Sequence, residues 1–491
     1  MLAEKERKIQ PHLVSLETLV PKDNFYRQLD AKVDLSFVRD LVRHYYKPFG
    51  RPSIDPVVFF KLQLIMFFEG IRSERYLMNI VDMRLDCRWY IGYDLNEKVP
   101  DHSSLSRIRD RYGLDVFQRF FEHIVELCMA AGLVWGKELY FDGTKVEANA
   151  DIDKRIPRFH WEAKQHLASL FVEAPSEAKS TERARLLVEK YDGQRIVSSR
   201  THTTQARKAD THVCPTDPDA TPLFSQPGHS RLGYNLHYVV DGGKARIILA
   251  SLVTPGSIQD QTPMLDLARW TRFRWGITPK LAVADTKYGS LPNIVGLEQD
   301  GLKAYLGLPN HSRRSKLFSY KDFDYDAQQD HYVCPAGETL PQSSYDHHTE
   351  SYIYRTSAKV CQACRIKTQC TTSSYARVVK RSINQDYIDQ VREYHKTEVY
   401  KKAQRKRSVW VEPVFGEVKQ WHQGRRFRLR RLRKVNIESL IRASGQNIKR
   451  LLKQTGRKHT PDPAHSMALS AIQLFLDDRF AYNHIAFIPS S

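Results

Sequence analysis

The chain has 491 residues, 41% hydrophobic and 27% charged, so it can bury the cores of roughly two to four domains and is not a disordered polymer. Its 76 Lys and Arg against 56 Asp and Glu leave a formal charge of +20, which points to a polyanionic partner, most simply DNA or RNA. Seven cysteines and the charged opening MLAEKERKIQPH argue against a secreted disulfide framework, and the most apolar run, residues 57–68, contains Lys61 and Gln63 and is too short to span a bilayer, so a cytoplasmic protein with no membrane partner is expected.

Residues 1–32 read as a polar, mixed-charge arm, and residues 33–133 as an all-helical domain. Asp55-Pro56 supplies an N-cap followed by proline in the first turn. The run it opens is apolar nearly all round and ends at Gly70, as expected of a helix in the core of a bundle. RSERYLMNIVD follows as a second helix. DHSSLSRIRDRYG opens another, with Asp101 or Ser103 as cap, and sets Arg107 and Arg111 one turn apart on one face. DVFQRFFEHIVELCMAAG closes the bundle at Gly132. The pattern fits a helix-turn-helix with Ser104, Arg107 and Arg111 toward DNA, and it fits an ordinary bundle with a charged outer face. Cys87 and Cys128 lie among apolar residues and read as buried thiols.

Beyond Gly132 the periodicity becomes that of strands. Residues 137–149 read as a strand ending in or just past Asp142. GYNLHYVVDGGKARIILASLVTP is a hairpin turning at Asp241-Gly242-Gly243. DQTPMLDLARWTRFRWG is a helix capped at Asp260, KLAVAD a strand that delivers Asp285, SLPNIVGLEQDG a helix and KAYLGLP a further strand. A helical stretch then starts at Glu412, with Pro413 in its first turn. This order makes a mixed α/β sheet with antiparallel strands at one edge. Asp142, Asp285 and Glu412 gathered around one point would form a hard-oxygen site for Mg²⁺ or Mn²⁺, the equipment of two-metal phosphodiester chemistry. Glu417 is the rival for the third place, but five residues at about 100° each put it on a different face from Glu412.

Two insertions interrupt this core. Residues 152–230 begin as charged helices and become polar loop, with an isolated, structural Cys214. Residues 309–400 are Cys-rich: Cys334 joins Cys361, Cys364 and Cys370 of CQACRIKTQC. Four thiols with one C-x2-C bite suit a structural Zn²⁺ site, while the irregular C-x5-C half suits reduced thiols held by packing. Residues 401–434 carry 13 Lys or Arg against two Glu. There Arg425, Arg426, Arg428 and Arg430 interleave with Trp421, Phe427 and Leu429, which in a helix gives a basic face, suited to phosphates, beside an apolar seam. NIESLIRASGQNIKRLLKQTG is the closing amphipathic helix, and residues 453–491 form a tail without an assigned role.

These words, kept in order, resemble bacterial insertion-sequence DDE transposases. FGRPSIDPVVFFKLQLIMFFEGIRSERYLMNIVD resembles their helical N-terminal domain. DGTKVEANAD, PTDPDA, LGYNLHYVVD, VADTKYGS and VEPVFGEVKQ continue the likeness, from about residue 19 to residue 452. Together they resemble the insertion sequence 1182 group, related to the larger insertion sequence 5 family. The resemblance implies a ribonuclease H-like catalytic core over residues 134–452 behind an all-helical DNA-binding domain. It implies catalysis by Asp142, Asp285 and Glu412 with two Mg²⁺ or Mn²⁺ ions, and a phosphate contact from Lys419. Lys419 completes the latter half of the helical signature Y-x2-R-x3-E-x6-K. Ser408 stands where its Arg belongs, Arg407 being nearest, and no Tyr stands at its place. The implied activity is binding of terminal inverted repeats, hydrolysis at the element ends, and joining of the 3′-OH ends to target DNA without a covalent protein–DNA intermediate. The implied partners are double-stranded DNA and further copies of the chain, in a homodimer or larger oligomer at the bacterial nucleoid. A non-catalytic, domesticated DNA-binding protein and a structure-specific nuclease on the same fold are the alternative readings.

Overall fold

The computed structural model describes residues 13–47, 49, 53–169, 212–226, 229–309 and 317–454. The charged stretch STERARLLVEKYDG and the tail beyond 454 lie outside them. The chain forms two compact units. One comprises Met1–Gln259, Trp270–Thr278 and Val409–Ser491; the other comprises Asp260–Arg269 and Pro279–Ser408.

The first unit opens with helices. Leu16–Leu19 and Phe25–Lys32 are helical where a polar arm was expected, because Leu16, Val20, Tyr26 and Leu29 supply an apolar face that is buried. Helix Pro56–Phe68 starts as read: the Asp55 carboxylate accepts from Val57 N at 2.8 Å, and the run behind it is core. Glu74–Met83 and Leu85–Ile91 follow. His102–Ala130 is capped by Asp101 and broken at Gly113 (φ 66°, ψ −169°), which divides it into the two helices anticipated. Cys87 and Cys128 are fully buried, and burial pushes each thiol up to about 12.

Strand β1 (Glu138–Glu147) follows, then a two-residue ribbon of β2 (Ile156–Pro157) and β3 (His212–Val213), then β4 (Thr221–Gln226), β5 (His229–Asp241) and β6 (Ile248–Pro255). β5 is the hub: β1 pairs with it antiparallel from Leu139↔Asp241 to Glu147↔Gly233, and β4 and β6 are also antiparallel to it. The β5–β6 hairpin is the one expected, whereas β4 comes unannounced from the first insertion. β1 falls within the expected residues 137–149 and runs five residues past Asp142. Thr144 and Val146 keep the extended preference of β-branched residues, and β5 offers partners as far as Glu147. Asp241 is more than a turn residue, since its buried carboxylate accepts from Trp135 N, Gly136 N and Gly243 N. The closing helix, Leu432–Gln454, packs on Pro56–Phe68, on His102–Ala130 and on β6.

The second unit holds parallel strands β7 (Leu281–Ala284) and β8 (Lys303–Leu306), connected by helix Leu291–Gln299. Its Cys-rich insertion is an antiparallel sheet of β9 (Asp324–Asp326), β10 (His331–Val333), β11 (Thr339–Asp346), β12 (Ser351–Tyr354) and β13 (Val379–Ser382), in sequential order. Phe323, Tyr332, Leu340, Tyr354 and Val379 form its core. Helices Gln385–Lys396 and Glu398–Trp410 lead out of it. The architecture is mixed α/β with a helical N-terminal region. Among the described residues, no helix is long and apolar enough to cross a membrane.

Candidate catalytic residues and nucleic-acid interface

Asp142 lies within β1, half-buried, with its Oδ1 accepting from Gly143 N at 2.9 Å. Its cross-strand partner is Tyr238 of β5, and Thr144, two residues on, shares its face. The helix Glu412–Trp421 lies against that face at two points. Phe415 stacks on Tyr238 with ring centroids 4.9 Å apart, and Lys419 Nζ donates to Thr144 Oγ1. Burial, and then Arg425, hold the Lys419 ammonium below the ordinary lysine range, while Asp142 pulls the other way. Glu412 is the first residue of this helix and exposed, two turns ahead of Lys419.

Glu417 faces elsewhere. It pairs with Lys449 at 2.6 Å and Arg450 at 3.3 Å, and it accepts from Gln446. Burial raises its carboxyl, but His422, Arg450 and Lys449 outweigh that and hold it well below the usual carboxylate range. Glu417 is therefore a structural residue, tying its helix to the closing one.

In the second unit, Asp285 stands directly after β7 and caps the turn Thr286–Tyr288, accepting from Lys287 N at 2.9 Å. Gln404 Nε2 donates to Ala284 O at 3.2 Å and Tyr305 O at 2.8 Å, fixing the strand ends from which Asp285 emerges. Gly289 completes the turn, and only glycine fits there: a Cβ would fall 1.9 Å from Gly307 O. Tyr288 is buried, and Lys287 is exposed and paired with Asp260 at 3.3 Å. Asp260 is not a helix cap, since the helix begins only at Met264.

The basic segment is not a helix. Residues 423–431 run irregularly beside the end of β1, with Glu147 N donating to Arg425 O and Phe427 N to Glu147 O. Gln423 (φ 52°) and Arg431 (φ 71°) turn the chain at its two ends. Phe427 and Leu429 are both buried, and residues two apart share a face in an extended segment but not in a helix, while Trp421 is 68% exposed. Arg425, Arg426 and Arg430 are exposed, with Arg426 Nε donating to Ala148 O at 2.9 Å and Arg430 Nε to Asn149 O at 3.1 Å. Arg428, read as a DNA contact, turns inward instead: its Nη1 donates to the Glu74 carboxylate at 2.8 Å. In the helical domain Arg107 and Arg111 are exposed. Arg107 donates to Ser103 Oγ at 2.9 Å, and Arg111 lies over the Tyr46 ring at 5.5 Å.

Cys334, Cys361, Cys364 and Cys370 carry no disulfide and line one small cavity of about 30 Å³ with Leu340 and Ile366. Burial raises the Cys370 thiol, and the other three cysteines raise it further. Among the described residues, no three His, Cys, Asp or Glu side chains are already set as ligands around one point.

Residues 14–111 match the family described as a transposase domain (DUF772), and residues 333–452 match the family described as a transposase DDE domain. The second match takes in Glu412, Lys419 and the four cysteines of the insertion; Asp142 and Asp285 lie outside both. No curated protein matches the chain. Among solved structures, a piggyBac transposase synaptic complex with hairpin DNA is similar at 11% identity over 96% of this chain and 88% of its own, with a TM-score of 0.32. The chain thus carries a region similar to a transposase domain and a region similar to a transposase DDE domain, which together support a DDE transposase enzyme.

Proposed function

We propose that the chain is an insertion-sequence transposase with a ribonuclease H-like core. It binds the terminal inverted repeats of its element, hydrolyses phosphodiester bonds at the ends and joins the 3′-OH ends to target DNA. The carrying observation is that the helix headed by Glu412 rests on the sheet face of Asp142, through Phe415 on Tyr238 and Lys419 on Thr144. Asp142, Asp285 and Glu412 would hold two Mg²⁺ or Mn²⁺ ions, which suit carboxylate oxygens at half-buried or exposed positions. When bound, such ions supply an activated water or 3′-OH and a counter-charge for the leaving oxygen. Lys419, half-buried beside Asp142, contacts a phosphate next to the scissile bond. Arg425, Arg426 and Arg430, with Arg107 and Arg111, hold backbone phosphates, and exposed Trp421 offers a stacking surface. Joining two element ends calls for at least two copies of the chain, at the nucleoid. Cys334, Cys361, Cys364 and Cys370 would hold a structural Zn²⁺, which suits four thiols lining one cavity.

The test is cleavage of a supercoiled plasmid carrying the element's ends, in Mg²⁺, by the native protein and by Asp142→Asn, Asp285→Asn and Glu412→Gln. Nicking at the repeats that drops to background in all three variants is the expected result. Repeat binding without cleavage by the native protein would leave a DNA-binding protein, and cleavage away from the repeats a nuclease.

A further inference from the structure

A second cavity, of about 50 Å³, lies inside the first unit between helix Pro56–Phe68, the end of the basic segment and the closing helix. A water needs roughly 10–15 Å³ of such space, so three or four water-sized groups fit, about the bulk of a tetrahedral oxyanion. Its polar lining is unbalanced. Gln63, Arg109 and Arg442 are only 4%, 3% and 6% exposed. Each keeps one buried donor without a protein partner: Gln63 Nε2, Arg109 Nε and Arg442 Nη1.

The neighbouring acceptors are already committed. Glu438 accepts from Arg428 N, Leu429 N at 2.8 Å and Arg442 Nη2 at 2.6 Å. Glu74 accepts from both Arg109 and Arg428. Arg72, also on the wall, spends its guanidinium on the carbonyls of Gln423, Arg426 and Phe427. Four guanidiniums thus face two carboxylates, an excess of positive charge around a half-open cavity. An unmet buried donor costs about 1–3 kcal/mol, and more when charged.

We infer that this cavity is a binding site for one phosphate-type oxyanion, held by Gln63, Arg109 and Arg442. The guest must accept from several directions and carry negative charge. Guanidinium donors match the oxygens of phosphate and sulfate, whereas chloride offers a single centre. The oxyanion is either free inorganic phosphate or a backbone phosphate of DNA. Oxyanion binding itself does not depend on the strand-transfer reading.

The test is thermal melting of the full-length protein in rising sodium phosphate against sodium chloride at matched ionic strength, with calorimetric titration of phosphate into the native protein and Gln63→Leu. A ligand confined to the folded state raises Tm in proportion to the logarithm of its concentration above Kd. The expected result is a saturable rise with phosphate and sulfate only, and phosphate affinity about tenfold weaker in Gln63→Leu, which removes one unmet donor while keeping an apolar filling. Arg442→Lys, which keeps the charge but loses the fork, should weaken it likewise. Equal melting in phosphate and chloride, or unchanged affinity in a folded Gln63→Leu protein, would overturn the inference. Adding short duplex DNA separates the sources: loss of the phosphate-dependent rise assigns the site to a backbone phosphate, and a persisting rise assigns it to the free ion.

Discussion

Asp217 concentrates the physics of a single buried group. It is 0% exposed, and its Oδ1 accepts from Tyr234 Oη at 2.6 Å and Arg431 N at 2.8 Å, while Oδ2 has no partner. Burial, aided by the charge of Asp219, pushes its carboxyl from 3.8 up to about 6, against the two hydrogen bonds. Between those values the folded protein keeps a proton that the unfolded chain has released. This group's contribution to stability therefore falls as pH rises through about 4 to 6, by on the order of 3 kcal/mol. Asp217→Asn keeps an acceptor for Tyr234 and Arg431 and cannot ionise. Its urea midpoint should exceed the native one at pH 7.5, with the difference vanishing near pH 4; parallel pH profiles would refute this reading. Asp217 belongs to PTDPDA, which is legible in the sequence as a motif, but nothing local says that its carboxylate fixes Arg431, 214 residues on. Residue roles of this kind need a partner distant in sequence.

At the scale of elements, the closing helix Leu432–Gln454 is decisive. Its Asn436 bonds both N–H and C=O of Val253, and its Asn447 both N–H and C=O of Ile248, so two side chains satisfy backbone groups of β6. That covers strand groups left open on the side away from β5. Gly445 lets the helix meet Pro56–Phe68: a Cβ there would lie 2.2 Å from Phe67 Cδ1. Glycine to alanine inside a helix normally stabilises by up to about 1 kcal/mol. Here overpacking, at about 1–3 kcal/mol, reverses the sign, so Gly445→Ala should lower the denaturation midpoint. A raised midpoint would mean that the ring yields freely. The β9–β13 sheet makes a different prediction. With its small core beside four thiols, the purified protein should carry about one zinc per chain, lost in the Cys361→Ser/Cys364→Ser double variant together with protection of residues 317–382 from protease. Metal-free protein with equal protection would favour thiols held by packing alone. The helices at 56–68 and 102–130 and the hairpin were legible because a cap, a period or a turn announces each of them. β4 and the β9–β13 sheet were not, since short, polar strands carry little periodic signal.

Across the whole molecule, charge and burial sort the arginines that composition could only count. Arg425, Arg426 and Arg430 are exposed, so replacing each with alanine should reduce the slope of log K against log salt for duplex DNA by about 0.9. Arg428→Ala should leave that slope unchanged and cost stability instead, about 1–3 kcal/mol, because its partner is Glu74. The reverse pattern in filter-binding and denaturation measurements would mean that the segment rearranges. The sequence by itself determined the order of helices and strands, the strand that delivers Asp285, the helix headed by Glu412 and the concentration of positive charge near the C-terminal end of the described chain. Those are written in caps, periods and residue types that act over a few positions. Only the tertiary structure decided how far β1 runs past Asp142, that residues 423–431 are not a helix, and that Arg428 and Glu417 are structural. Each of these depends on a contact distant in sequence: β5 for β1, Glu147 and Tyr234 for Phe427, Glu74 for Arg428, Lys449 and Arg450 for Glu417. Burial and pairing with such partners outweigh local preference by several kcal/mol, and the local pattern does not name the partner.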